Sequence, residues 1–384
     1  MAFEFAIEFL RLLGNNYAYI LLSMLAIALV IVFYFARKSL AIASFAYAGT
    51  RVRVMSGRML KQNKLKELAE SYSASDVIAA FEGSAYEQYV AGKESIEEIE
   101  HGLATSLADD YKKIMEMSPR KARPLFAFMD SRYDIENIKR ILASKITKEP
   151  VSYLLPSQMS QALLQRLNEA ESVEETLELL KMTPYGKVLE YVSSDANIST
   201  IERALDKYLY EKLLSAGTIE SIAKKAGIMN DPAFLKEMFG IQADIINIKT
   251  VLRCIAEGIP EKDVKQLLVG KGFYLNEMML ETLAEASDLQ GAINALQGTP
   301  YYAIINDALR AYQSEKSLYV FEKALAEYYV GRINSISLKQ PFGLTPLVCY
   351  LLLKEHEIKS IGMILNCIKE GLPKEKIKEL FIGA

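Results

Sequence analysis

One helical phrase occurs three times along the chain, and that recurrence limits the fold more than any other feature. Residues 134–142 read DIENIKRIL, which puts Ile135, Ile138, Ile141 and Leu142 on one face of an α-helix. Residues 244–252 read DIINIKTVL, with Ile245, Ile248, Val251 and Leu252 at the same offsets, and residues 357–365 read EIKSIGMIL, with Ile358, Ile361, Ile364 and Leu365. The copies start at 134, 244 and 357, so they are offset by 110 and then by 113 residues. Other landmarks recur in the same order. Gly-x-Pro follows the second and third copies at 258–260 and 371–373, and it stops one helix and opens the next, because proline is tolerated in a helix's first turn. Thr183-Pro184-Tyr185 and Thr299-Pro300-Tyr301 each precede a long helical stretch, with Ser84-Ala85-Tyr86 as a degenerate first version. Such a period is far above the roughly 20 to 50 residues of solenoid repeats. The expectation is an all-α chain of three helical domains in series, at 45–150, 151–270 and 271–384, behind an N-terminal extension of residues 1–44.

Within the repeat, Asp134, Asp244 and Glu357 share a position, as do Asn137, Asn247 and Ser360, and Lys139 and Lys249 recur together. A residue repeated by internal duplication serves what the units share. The asparagines and serine are therefore expected to make a helix-to-helix hydrogen bond reused by every unit, not to react with a substrate.

The inventory for catalysis is thin. Two histidines (His101, His356) and three cysteines (Cys254, Cys349, Cys367) cannot assemble a four-ligand zinc site from neighbouring positions, and no Cys-x-x-Cys occurs. The cysteines read as small core hydrophobes and the histidines as exposed helical residues. There is no phosphate-cradling loop, G-x-G-x-x-G, G-x-S-x-G or H-E-x-x-H. The acidic runs at 94–100 and 169–178 read as solvated helix faces. The 22 tyrosines, in a chain without tryptophan, read as inter-helix packing with their hydroxyls at the rim. No catalytic residue, cofactor, metal or small-molecule substrate is expected, and a hydrolase with an unrecognised carboxylate pair is the weakest of the readings.

Residues 17–36 (YAYILLSMLAIALVIVFYFA) carry no charge, and eleven of the twenty are Leu, Ile, Val or Phe. A helix of that length spans about 30 Å, the hydrocarbon thickness of a bilayer. A cleaved signal peptide would have a basic start and a shorter apolar core, whereas the residues before this stretch are net acidic. A buried helix of a soluble body is seldom apolar all round. Residues 1–66 hold nine Lys/Arg against Glu4 and Glu8, net +7, and the remaining 318 residues hold 36 bases and 46 acids, net −10. An acidic body argues against a nucleic-acid partner. Basic residues on the C-terminal side of the span place the body in the cytoplasm and the N-terminus outside. Arg37, Lys38, Arg51, Arg53 and Arg58 are candidates to meet anionic headgroups.

The stretches AYAGTRVRVMSGRML (46–60), RYDIENIKRILASK (132–145), ADIINIKTVLR (243–253) and the ending that runs from FGLTPLVCYLLLKEHEIKS through CIKEGLPKEKI (342–377) together resemble the C subunit of archaeal A-type rotary ATP synthases, related to the d subunit of eukaryotic V-ATPases. The resemblance implies three pseudo-threefold-related helical domains forming a funnel on the cytoplasmic end of the membrane proteolipid ring. The central axle, made by the D and F subunits, would stand in its mouth. It implies a non-catalytic rotor component that passes torque between ion transport and ATP synthesis. Many relatives begin near the position of Ala46, so the span departs from the family pattern, and the lipid-filled lumen of the ring is where it would turn without meeting the stator. A membrane-tethered helical scaffold for another cytosolic partner is the alternative.

Overall fold

The computed structural model describes residues 2–60, 62–71, 73–151, 153–189, 198–214, 218–226 and 231–380. Among them are 21 helices and no strand, so the all-α expectation holds. The helix Ala2–Ala43 runs 42 residues, longer at both ends than the apolar stretch alone. Its apolar part has a mean hydropathy of 2.6 and none of it is covered by protein. Leu21, Leu25, Leu29, Val32 and Phe35 are all exposed. This is one helix long and apolar enough to cross a membrane by length and composition. A turn at 44–45 then drops Phe45 into the core, and the short helix Ala46–Ser56 follows, burying Ala48 and Val52.

The three copies of the phrase lie on the helices Arg132–Thr147, Asp231–Glu257 and Thr345–Lys369. Each contributes its isoleucine face to a different apolar cluster. Ile135, Ile138, Ile141 and Leu142 pack with Leu167, Leu180, Tyr185, Ile201 and Leu205. Ile248, Val251 and Leu252 pack with Leu283, Ile293, Tyr301, Ile305 and Phe321. Ile361, Ile364 and Leu365 turn back to the start of the chain and pack with Leu68, Val77, Phe81, Tyr86, Ile99 and Leu103. A fourth cluster joins the three, drawing on Phe45, Tyr111, Phe126, Phe239, Ile333 and Leu347. Each fully buried side chain of this size contributes about 1.5 to 3 kcal/mol.

Helix ends follow from local chemistry. Ser73 and Ser95 open their helices with reciprocal capping boxes to Asp76 and Glu98. The second and third phrase-bearing helices end alike. Gly258 and Gly371 adopt left-handed φ of 69° and 68°, and the residues after them return N–H bonds to the carbonyls of Cys254 (2.9 Å) and Cys367 (3.0 Å). The first copy has the same bend at the same offset, with Lys148 at φ 58° where the others have glycine, and Pro150 where they have Pro260 and Pro373. The left-handed bend is thus present three times and the Gly-x-Pro letters twice, although at the first bend the next N–H, that of Glu149, donates to Thr147 Oγ1 (3.3 Å).

Candidate functional site

The acid at the head of each phrase anchors its helix in one recurring way. Asp134 accepts the hydroxyl of Tyr185 (2.8 Å) and the backbone N–H of Met159 (2.9 Å). Asp244 accepts the hydroxyl of Tyr301 (2.9 Å) and the N–H groups of Phe273, Tyr274 and Leu275. Glu357 accepts the hydroxyl of Tyr86 and the N–H of Leu60. The three tyrosines are those of the Thr-Pro-Tyr and Ser-Ala-Tyr landmarks, so two separate sequence repeats are two halves of one contact. These hydroxyls work inside the protein, not at its rim. Gly272 lets the loop lie against Asp244, since a Cβ there would fall 2.0 Å from Oδ1.

The asparagines do something other than bridge helices. Asn137 donates to the carbonyl of Leu155 (2.8 Å) and accepts from its N–H (2.7 Å), and Asn247 donates to Gly270 O (2.7 Å) and accepts from Val269 N (2.9 Å). Each holds an extended strap whose own backbone has no ladder to join, which satisfies groups that would otherwise be costly to bury. Among the described residues Ser360 bonds only its own helix, to His356 O, and does not reproduce this. Lys139 pairs with Asp206 (2.6 and 2.7 Å) and Lys249 with Glu322 (2.8 Å), tying each phrase helix to a neighbour.

Between the phrase helices lies a cavity of about 590 Å³. Residues two positions before each head acid line it: Arg132, Gln242 and Glu355. So do those two positions after it: Glu136, Ile246 and Lys359. The wall carries four acids (Glu100, Glu136, Asp206, Glu355) and four bases (Arg132, Lys139, Arg140, Lys359), so it has no single sign that would collect a polyanion. Arg132 and Glu355 form an ion pair, and Glu355 also accepts from Tyr111. Sequence reading missed this pair, although aligning the three phrases two residues upstream brings it into view.

Two expectations fail here. His356 is not exposed: its Nε2 is buried without a hydrogen-bond partner among the described residues, and burial, with Lys359 nearby, pushes its pKa down to about 4, so it is neutral. Glu100 belongs to the acidic run read as solvated, yet it lines the cavity, accepts from Asn366 (3.0 Å) and has its pKa raised by burial. His101 is exposed and the three cysteines are buried, as expected.

On the span side, Arg37, Arg51, Arg53 and Arg58 are exposed, and the side chain of Lys38 lies outside the described residues. Arg53 donates to Pro341 O (2.9 Å) and stands 5.7 Å from the centre of the Phe342 ring. No group of three or more His, Cys, Asp or Glu among the described residues is placed to hold a metal ion.

The model of the ATP synthase (C/AC39) subunit family matches residues 48–380. The chain belongs to this family. Similar proteins include the A-type ATP synthase C subunit of Methanosphaera stadtmanae, 30% identical over 347 residues and 88% of each chain. Its counterpart in Methanocaldococcus jannaschii is 30% identical over 356 residues, 89% of this chain and 87% of its own. A third, from Methanobrevibacter smithii, is 29% identical over 376 residues and 94% of each chain. The C/AC39 match takes in all three phrase helices, their tyrosine partners and every residue that lines the cavity.

Proposed function

We propose that this chain is the non-catalytic rotor adapter of an A-type rotary ATP synthase, occupying the place of its C subunit. Three helical units arranged with pseudo-threefold symmetry form a funnel. Its wide end receives the central shaft, which the D and F subunits make in this class of machine, and its base sits on the proteolipid ring. Torque passes through the funnel, while ATP chemistry and the ion-carrying carboxylate reside in other components. The observation that carries the reading is the threefold recurrence of one anchor, head acid to tyrosine hydroxyl and loop N–H, on three helices whose other residues wall one cavity. Repeated units around an axis suit a part that must meet a ring on one side and a single shaft on the other.

The units are proposed as three helical domains, with the 17–36 stretch spanning the membrane inside the lipid-filled lumen of the ring and the body on the cytoplasmic side. Arg37, Lys38, Arg51, Arg53 and Arg58 then lie at the headgroups or the ring's polar loops. Photocrosslinking from Leu29 in the assembled complex tests this. Crosslinks to lumen-facing ring helices are expected, and crosslinks confined to stator components would overturn the lumen placement.

A further inference from the structure

The phrase helices repeat in backbone and anchor but not in what they show the cavity. Reading each from its head acid, the first unit presents Arg132 and then Glu136, the second Gln242 and then Ile246, the third Glu355 and then Lys359. These are base then acid, neutral then apolar, acid then base. Four residues along a helix is about 6 Å, so the six side chains make two layers, one above the other. The lower layer is closed by the Arg132–Glu355 pair, with both side chains largely buried. The upper layer is open. Glu136 has only a long contact to Arg140 at 3.5 Å, and Lys359, exposed to the cavity, makes no ion pair among the described residues. In the second unit the buried Oε1 of Gln242 has no hydrogen-bond partner among the described residues.

We propose that the cavity is a keyed socket, which admits the tip of the shaft in one of three rotational settings because its pseudo-equivalent positions differ in charge. This rests on the adapter reading above. The occupant is the end of a helical shaft that offers a cation toward Glu136, an apolar face toward Ile246 and a carboxylate toward Lys359. About one helical turn, roughly 10 Å across and 5.4 Å long, displaces some 420 Å³ and fits the volume available. Turning such a tip by one unit sets a cation against Lys359 or a carboxylate against Glu136, and like charges across an interface exclude wrong settings. A symmetric funnel would slip between equivalent seats under load. A keyed one fixes a single angle between ring and shaft.

The test is photocrosslinking in the assembled complex, with a benzophenone amino acid placed in turn at Thr147, Glu257 and Glu370. These exposed positions stand eleven residues, three turns, after Glu136, Ile246 and Lys359 and so share their helix faces. Keying predicts three different sets of shaft peptides, one from each position. It also predicts that Glu136→Gln with Lys359→Met merges the sets while the shaft stays bound, its wrong settings rising from under a tenth to a comparable share of the crosslinks. The same peptides from all three positions in the unaltered chain would overturn the key and leave the adapter reading standing, as would sets that stay distinct in the double variant. No shaft peptide from any position would overturn both.

Discussion

The phenolic hydroxyl of Tyr86 donates to the carboxylate of Glu357, 271 positions later in the chain. This is the third instance of a contact that Tyr185 and Tyr301 make with acids 51 and 57 positions before them, so the last phrase is completed by the beginning of the body. The ammonium of Lys354, 1% exposed, sits 3.7 Å from the centre of the Tyr86 ring and 3.9 Å from Glu357. Tyr86→Phe removes the donor but keeps the packing. A buried acceptor that loses its partner costs about 1 to 3 kcal/mol. Hydrogen exchange should rise in residues 62–103 and 357–377 and stay unchanged around Tyr185 and Tyr301. An increase spread over all three clusters would contradict local closure.

Lys148 holds a left-handed conformation that its counterparts Gly258 and Gly371 adopt freely. A side chain there is disfavoured by about 1 kcal/mol. Lys148→Gly is expected to stabilise the chain by about 0.5 to 1 kcal/mol in chemical denaturation, and Gly258→Lys to destabilise it by a similar amount. Opposite signs would mean that the bend is not shared.

Burial raises the pKa of Asp244 from 3.8 to about 6, against the lowering effect of its N–H and O–H donors. Between those two pH values the folded chain binds more protons than the unfolded one, so this group's contribution to stability falls as pH rises and is flat above about 7. At about 1.4 kcal/mol per unit, the stability of the wild type relative to Asp244→Asn should decline by up to about 3 kcal/mol between pH 4 and 7. Denaturation of the detergent-solubilised chain at several pH values measures it, and a difference that grows with pH would contradict the assignment.

The apolar residues of the first helix favour insertion by about 3 to 7 kcal/mol in total, and each arginine near its centre opposes that by about 3. Leu25→Arg with Leu29→Arg should therefore move the chain from the carbonate-resistant membrane pellet to the supernatant. Circular dichroism of the body should not change, because these side chains are exposed and uncovered by any other part of the described residues. Retention of the double variant in the pellet would show that another surface carries the attachment.

Periodicity made the helices legible, because an isoleucine every third or fourth residue has one structural solution. Order along the chain made the repeats legible. Two things escaped. Tyr86 and Glu357 stand near opposite ends of the body, and no local pattern reports which distant landmark a given acid will meet. The left-handed turn at Lys148 lacks its usual glycine, so its sequence does not announce it. The cavity was hidden for a related reason: duplication advertises what the units share, and Arg132, Gln242 and Glu355 are where they differ. His356 misled because its helix buries nearly every face, which makes a single polar residue uninformative about exposure.

A rotor part that joins ring to shaft, as proposed above, stays with both when the rest of the complex is removed. Native mass spectrometry of the affinity-purified complex, dissociated stepwise in detergent, tests it most directly. One copy of this chain is expected in a subcomplex with the proteolipid ring and the shaft after the peripheral stalks and catalytic head have left. Departure of the chain with the peripheral stalks, or its recovery with partners that include neither ring nor shaft, would contradict it.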